Sequence, residues 1–213
     1  MAIKDTLWIT SCAILNTTQI SNYANMNKGQ LILFVGPTCV GKTTLIAALQ
    51  KRLPDTGVII STTTRPIRPT ETDGVDYEFT TDEDFVRRRE AGEFYEAVKR
   101  PTGYYGSSRI NVHELLEKHQ VVFGALDIEG CRIVKKLEPD TLVIFLYPGN
   151  MADLKKRLHE RGTGDAEITA RLTIAEEEML SRDEFEESLE NIDGKFEETV
   201  EKALALFRAR DIA

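Results

Sequence analysis

The sequence has few cysteines, and their placement excludes a disulfide framework. Its 213 residues include three cysteines, at positions 12, 39 and 131. They are odd in number and widely spaced, and they form neither a Cys-x-x-Cys pair nor a zinc pattern with histidine. We therefore expect free thiols in a reducing compartment, which favours a cytoplasmic protein.

Long apolar runs are absent as well. No stretch of about 18 apolar residues occurs, so no ordinary membrane-spanning helix is expected. The run from Leu7 to Leu15 is interrupted by Thr10 and Ser11, which makes a poor signal-peptide core, and residues 1–28 lack the arginines of a transit peptide. We expect a soluble protein in which residues 1–28 are an N-terminal extension, mobile or weakly docked on the compact domain.

Positive charge is in short supply. Lys and Arg number 27 against 35 Asp and Glu, which gives a formal net charge of -8. Binding to nucleic acid or to an anionic membrane requires a broad basic surface. Neither partner is therefore expected, any basic site must be local, and nothing in the sequence indicates an obligate protein partner.

A phosphate loop is the most informative motif that is present. It follows the apolar run Leu31 to Val35, and its nine residues are Gly36, Pro37, Thr38, Cys39, Val40, Gly41, Lys42, Thr43 and Thr44. Between a buried strand and a helix N-terminus, such a loop directs backbone N–H groups and the helix dipole at a triphosphate. A chance glycine-rich turn before a core helix is the alternative. The match in this setting favours an ATP site that includes all nine residues.

The residue types in the loop suggest separate roles. The glycines let the backbone turn tightly and approach phosphate oxygens. Lys42 supplies a positive charge to the β and γ phosphates, and the Thr43 hydroxyl is placed to ligate magnesium. The expected cofactor is Mg²⁺, bound together with ATP.

Strand-like runs alternate with helix-like segments along the chain. The strand-like runs lie at 31–35, 57–61, 121–126 and 142–146. This alternation predicts an α/β core, in which helices wrap a parallel sheet. The interval 65–107 breaks the rhythm because it is rich in Thr, Pro, Gly and Tyr, and we interpret it as a lobe inserted into a core made of 29–64 and 108–213.

Two segments near the C-terminus carry contrasting patterns. Residues 195–209 place apolar side chains at helical spacing, which predicts a helix packed on the core. Residues 176–198 are dominated by acidic side chains, and such a run usually marks a solvated helical surface. We therefore interpret the acidic run as a solvated helical surface.

A series of motifs in and around the predicted lobe resembles the guanylate kinase family. In order, it comprises Ser61 to Arg68, Asp73 to Tyr77, Glu93 to Glu96 and Gly103 to Ser107. The resemblance covers roughly residue 28 to the C-terminus. It implies a P-loop kinase three-layer fold with a parallel core sheet, an inserted GMP-binding lobe and an arginine-bearing lid. It also implies phosphoryl transfer from ATP to GMP. We expect dGMP to be accepted too, because no candidate residue is assigned to the ribose hydroxyls.

The same resemblance implies seven acceptor-binding residues, of which four grip the phosphate of GMP and three contact its base. The phosphate-binding residues are Arg65, Arg68, Tyr77 and Tyr105, and the base-contacting residues are Glu96, Ser61 and Ser107. Arginine can hold a monophosphate bidentately, and tyrosine adds a neutral donor. A carboxylate can accept hydrogen bonds from N1–H and the exocyclic amine of guanine. The alternatives are surface charges for the two arginines and an exposed polar position for Glu96.

Three arginines match the lid of the family, near residues 157–171. Arg157, Arg161 and Arg171 lie around the turn at 162–164. Phosphoryl transfer needs positioning and cations more than a covalent nucleophile, so these arginines and Lys42 are the implied catalytic residues. The alternative for the three arginines is a solvated helix face that balances the acidic run.

Asp127 is the candidate acidic ligand for the metal. It ends the apolar run 121–126, where the carboxyl end of a strand faces the cleft, so it could hold Mg²⁺ directly or through water. Its segment resembles the family's Asp-hydrophobic-Gln-Gly signature with Glu129 in place of Gln. The family usually has an acidic residue two positions before this aspartate, and this chain has Ala125.

Because Ala125 replaces the usual acidic residue, two rival functions stay open. One is a related P-loop kinase that acts on ribose 1,5-bisphosphate, which does not need the base-contacting residues. The other is a non-catalytic binding module of the guanylate-kinase-like kind. Such modules have typically lost the phosphate loop, whereas this chain has Gly41, Lys42 and Thr43.

Overall fold

In the computed structural model of the chain, the described residues run from 29 to 212. The predicted N-terminal extension, 1–28, lies outside the described residues. Within them the chain forms nine strands and seven α-helices. In chain order they are β1 Gln30–Val35, α1 Lys42–Arg52, β2 Thr56–Val58, β3 Thr62–Thr63, β4 Glu78–Phe79, α2 Asp82–Glu90, β5 Phe94–Arg100, β6 Gly103–Ser108, α3 Arg109–Lys118, β7 Val121–Ala125, α4 Ile128–Leu137, β8 Leu142–Pro148, α5 Met151–Glu160, α6 Asp165–Met179, β9 Glu187–Asn191 and α7 Phe196–Ala209.

The main sheet has five parallel strands in the order β2-β7-β1-β8-β9. Its central strand β1 is apolar on both faces because helices cover both. Ile32 and Phe34 pack in one core cluster with residues of α1 and α7, while Leu31, Leu33 and Val35 pack in another with residues of α3 and α4. The predicted α/β core with a parallel sheet between helical layers is therefore confirmed.

The strand order brings three loops together at one edge of the main sheet. β1 lies between β7 and β8, and all three strands run in the same direction. The carboxyl ends of parallel strands meet at the same edge, which is where open α/β sheets bind ligands. The phosphate loop after β1, Asp127 after β7 and α5 after β8 consequently share this edge.

A second sheet has four strands in the order β4-β3-β6-β5. We call residues 62–108, which hold this sheet and α2, the lobe. Its small core stacks the ring of Phe85 on Phe94 and Tyr104, with ring centroids 4.3 and 5.3 Å apart. The predicted insertion at 65–107 falls within these bounds, and its action as a separate unit stays a prediction.

A β-bulge in the lobe redirects one acidic side chain. The register between β5 and β6 shifts between Phe94 and Glu96, so that Phe94 pairs with Ser108 and Glu96 pairs with Ser107. Bulges of this kind often re-aim a side chain beside an active site. Here the bulge places Glu96 in the interior, where it is 2% exposed.

The C-terminal segment differs in part from its prediction. The helix expected at 195–209 is confirmed as α7, with Val200, Ala203 and Phe207 buried. The acidic run 176–198 is not one helical surface: α6 ends at Met179, and β9 then joins the edge of the main sheet beside β8. No helix among residues 29–212 is long and apolar enough to cross a membrane.

Candidate active site

The phosphate loop is built on two glycines that no other residue could replace without strain. Gly36 has a φ of 137°, and a Cβ there would lie 2.0 Å from the carbonyl oxygen of Leu146. Gly41 has a φ of 104° and precedes α1, whose N-terminus receives no side-chain cap. An uncapped helix start leaves backbone N–H groups for an external anion. The loop therefore has the geometry of a phosphate site.

The backbone of the loop is held by contacts from distant parts of the chain. The Asn191 amide donates to the Val40 carbonyl at 2.8 Å, and the Arg157 guanidinium donates to the same oxygen at 3.2 Å. Cys39 takes a left-handed φ of 58°, which is unfavourable for a residue with a Cβ. The strand signal before Asn191 is weak in the sequence, and its contact with the loop was not predicted.

Lys42 lies inside the curve of the phosphate loop. Its Nζ donates to the carbonyl oxygens of Gly36 at 2.6 Å and Pro37 at 3.1 Å. Burial lowers the pKa of Lys42, and the negative charge of Glu178 opposes that shift most strongly. Thr43 and Thr44 lie in the first turn of α1 with exposed side chains.

Glu178 corrects the expectation that the acidic run is a solvated helical surface. It lies in α6, and burial raises the pKa of its carboxyl, while the charges of Lys42 and Arg100 lower it. The carboxylate therefore lies near the loop lysine rather than on a solvated face. Because Glu178 lies at the start of the acidic run, the sequence pattern did not indicate that it lies near Lys42.

The structure brings two of the three lid arginines to the phosphate loop. Arg157 also donates to the Cys39 carbonyl at 3.3 Å, and Arg171 donates to the Thr38 hydroxyl at 3.3 Å. Arg161 lies exposed, and within residues 29–212 its side chain forms no hydrogen bond or ion pair. Arg157 and Arg171 thus have a place beside the loop, and Arg161 has none in this conformation.

In the lobe, the two predicted phosphate-binding arginines converge on one carboxylate. Arg65 binds Glu71 in a bidentate manner, with Nη–Oε distances of 2.6 and 2.7 Å. Arg68 approaches the same carboxylate, with 3.5 Å from Nη1 to Oε1. The Arg65 guanidinium lies 4.8 Å from the ring centre of Tyr77, which in turn contacts Tyr105 edge-on at 6.1 Å. Four predicted residues thus meet in one place, with Glu71 as a member that sequence reasoning missed.

Of the three predicted base-contacting residues, the structure brings Ser107 and Glu96 into contact but not Ser61. Ser107 donates its hydroxyl to Glu96 Oε1 at 2.8 Å, and both side chains are buried. Burial raises the pKa of Glu96 to about 8, and the negative charge of Asp127 adds to the rise. Ser61 lies between β2 and β3, and its hydroxyl makes no hydrogen bond within the described part of the chain.

Asp127 links the two sheets. Its Oδ1 accepts the Gly130 N–H at 2.7 Å and so caps α4, while its Oδ2 accepts Nε of Arg100 from the lobe at 2.6 Å. Both carboxylate oxygens are therefore engaged by the protein. No sequence pattern pointed to Arg100, because it meets Asp127 only through the fold.

Comparisons with known proteins agree with this geometry. A family model described as guanylate kinase matches residues 28–209. The guanylate kinase of Thermotoga maritima is 37% identical over 183 residues, which cover 85% of this chain and 87% of the relative. That of Symbiobacterium thermophilum is 42% identical over 147 residues, or 69% and 70% of the two chains.

Solved structures agree on the fold. A guanylate kinase from Anaplasma phagocytophilum superposes with a TM-score of 0.69 at 23% identity and covers 86% of this chain and 87% of its own. A shikimate kinase from Bacteroides thetaiotaomicron reaches a TM-score of 0.50 at 19% identity, with 84% of this chain and 98% of its own covered. At such low identity these structures speak for the fold alone.

Proposed function

Because the chain belongs to the guanylate kinase family, we propose that its phosphate loop and its lobe form one two-nucleotide site, with ATP at the loop and GMP at the lobe. The chain is an ATP:GMP phosphotransferase, which converts ATP and GMP into ADP and GDP. One observation carries the pairing of the two halves: Asp127 lies within electrostatic reach of both Lys42 and Glu96. Lys42 of the ATP half and Glu96 of the GMP half therefore lie near the same stretch of the sheet edge.

At the donor half, the nine loop residues 36–44 hold the phosphates of ATP. Uncapped N–H groups at the start of α1 point at the anion, and Lys42 exchanges its carbonyl partners for phosphate oxygens. Arg157 and Arg171 stand beside the loop and stabilise the charge that spreads over the transferring group. Arg161 joins them only if the lid closes further, since its side chain is exposed here.

At the acceptor half, the arginines and tyrosines bind the phosphate of GMP, and the Glu96 carboxylate recognises the guanine base. Arg65 and Arg68 supply charge, and Tyr77 and Tyr105 supply hydroxyl donors. Glu96 accepts the guanine N1–H and amine hydrogens, and Ser61 and Ser107 contact the base, Ser107 also holding the Glu96 carboxylate. No residue of this set is assigned to the ribose hydroxyls, so dGMP is also an acceptor.

The residues present fit a magnesium ion that arrives with ATP. Within residues 29–212 no cluster of three acidic, histidine or cysteine side chains forms a protein cage. Mg²⁺ at kinase sites takes only one or two protein ligands, with phosphates and water completing the shell. The exposed Thr43 hydroxyl would hold it directly and Asp127 through water, because both Asp127 oxygens already accept hydrogen bonds. When bound, the ion neutralises charge on the β and γ phosphates.

Two general expectations complete the proposal. Cys39 and Cys131 are free thiols, which supports the reducing cytoplasm as the compartment. The net charge of -8 supports a protein that works without nucleic acid, a membrane or an obligate protein partner.

The acceptor itself is tested by a panel of phosphorylated substrates. With ATP as the donor, we expect GMP and dGMP to be phosphorylated with a kcat/KM at least about 10³-fold above that for AMP. Ribose 1,5-bisphosphate should be a poor acceptor because it has no base for the buried Glu96 and Ser107 to contact. ADP release in a coupled assay measures all four. Faster turnover of the ribose bisphosphate would overturn the assignment in favour of that rival.

We also predict that GMP binding strengthens as pH rises from 7 to 8.5. The pKa of Glu96 is raised to about 8, so the protonated form dominates at pH 7 and only about a tenth carries the charge that accepts guanine hydrogens. The ionised fraction then grows with pH, and KM for GMP should fall about eightfold over this interval. The range avoids the phosphate group, whose second pKa is about 6.

The measurement is KM for GMP at saturating ATP across this range. Glu96→Gln cannot titrate and should give a flat profile with a higher KM throughout. A KM of the natural enzyme that stays constant from pH 7 to 8.5 would contradict the prediction.

A further inference from the structure

Arg65 is a buried cation with one dominant counter-charge. Its side chain is 5% exposed and that of Glu71 is 12% exposed. A buried guanidinium without a partner would be costly, whereas a bidentate carboxylate satisfies it with two charge-assisted bonds. Glu71 also lies only six positions further along the chain, so the pair is local to one loop.

The bonds of Arg65 to Glu71 and Pro66 leave one edge of its guanidinium for other partners, and the Tyr77 hydroxyl also interacts with this guanidinium by hydrogen bonding. Nη1 donates to the Pro66 carbonyl at 2.9 Å and to Glu71 Oε2 at 2.7 Å, while Nη2 donates to Glu71 Oε1 at 2.6 Å. A guanidinium has five N–H donors in a fixed plane. Neither Glu71 nor Pro66 uses the Nε–H or the second Nη2–H, which form a bidentate edge of their own. One face of the plane is covered by the ring of Tyr77.

Glu71 organises the second arginine as well. The backbone N–H of Arg68 donates to Glu71 Oε2 at 3.0 Å, which fixes where the Arg68 side chain begins. That side chain is 48% exposed and only 3.5 Å from Oε1 at its nearest nitrogen, so it can turn toward a bound anion. One carboxylate thus screens the repulsion between two cations, fixes the Arg65 guanidinium and anchors the backbone of Arg68.

We infer that Glu71 is a positioning residue for the acceptor: it holds the Arg65 fork and the Arg68 backbone so that their remaining donors face the phosphate of GMP, without touching GMP itself. The inference rests on the proposed GMP site. The alternative is that Glu71 occupies the place of the phosphate and competes with it. Its position on the Nη1–Nη2 edge of the guanidinium, which leaves the Nε–H and the second Nη2–H on the adjacent edge, favours the positioning role.

The test is Glu71→Gln, which keeps the shape but removes the charge and places an amide donor against the arginine fork. KM for GMP is expected to rise about 10- to 100-fold, as for a lost hydrogen bond to a charged group, while KM for ATP stays unchanged. The inhibition constant of guanosine should not move, because guanosine has the base but no phosphate. Glu71→Asp keeps the charge and should recover part of the loss.

Glu83→Gln is the matched control, since Glu83 is an exposed carboxylate of the same lobe with no assigned role. A lower KM for GMP in Glu71→Gln would show competition and overturn the inference, as would an equal loss of guanosine binding or no change at all. If Glu71→Gln does not fold, Glu71→Asp carries the same test, with a rise in KM confined to GMP as the supporting result. A natural enzyme that fails to phosphorylate GMP would instead defeat the proposed function itself.

Discussion

Replacement of Lys42 by Met is expected to lower kcat by about 10³-fold or more while leaving the affinity for GMP nearly unchanged. Lys42 lies in the phosphate loop, and its two hydrogen bonds go to loop carbonyls rather than to the lobe. Its charge is therefore available to the phosphates of ATP and to the charge that develops during transfer. Single-turnover kinetics with ATP and calorimetric titration with GMP measure the two effects separately.

The matched control is Lys51→Met, at the exposed end of the same helix. Folding should not obscure the comparison: burial already lowers the pKa of Lys42, so an apolar side chain at that position removes a poorly solvated cation. Thermal melting of both variants checks this expectation. Equal losses of ATP turnover and GMP binding would show that Lys42 serves both halves of the site, contrary to the division proposed here.

The features that sequence alone predicted well are those encoded locally. The phosphate loop is a run of nine neighbours, and the strands around it are uninterrupted apolar segments such as 31–35 and 142–146. Local patterns of this kind determine a strand and a helix start without help from the rest of the fold. The α/β core and the position of Lys42 followed from them.

The features that sequence missed depend on residues that are far apart in the chain. Asn191 reaches the loop carbonyl of Val40 from 151 positions away, and Arg100 meets Asp127 across 27 positions. Glu178 was hidden in an acidic run that usually lies in solvent. Such contacts are set by strand order and by the bulge in β5, neither of which has a periodic signal.

Ala125 stands where the family usually has an acidic residue, and the fold shows what this departure changes. It ends β7 and packs against the main core, so it contributes no charge to the sheet edge. Asp127 is balanced by Arg100, whereas the buried Glu96 carboxylate bonds to no cation within residues 29–212. In the proposed site, recognition of the guanine base is therefore assigned mainly to Glu96.

Replacement of Glu96 by Gln should consequently lower kcat/KM for GMP by about 10³-fold and reduce the preference for GMP over AMP by a similar factor. A site that accepts two hydrogen bonds from the base loses much of its affinity when one acceptor becomes an amide donor. A buried polar group is then left unpaired. KM for ATP should stay within about twofold, since the loop is held by Val40 and Lys42 contacts that do not involve Glu96. The acceptor panel, repeated with the variant, gives all three quantities.

Two further measurements separate base reading from damage to the lobe. Ser107→Ala removes the hydroxyl that donates to Glu96 at 2.8 Å but keeps the carboxylate, so it should weaken GMP binding by about tenfold at most and keep the preference over AMP. Free phosphate should inhibit the natural enzyme and Glu96→Gln equally, because the proposed phosphate-binding Arg65 is held by Glu71 and not by Glu96. If Glu96→Gln left the GMP-to-AMP ratio unchanged, base recognition would have to be assigned to other groups, with Asp127 and Arg100 as the nearest charged pair.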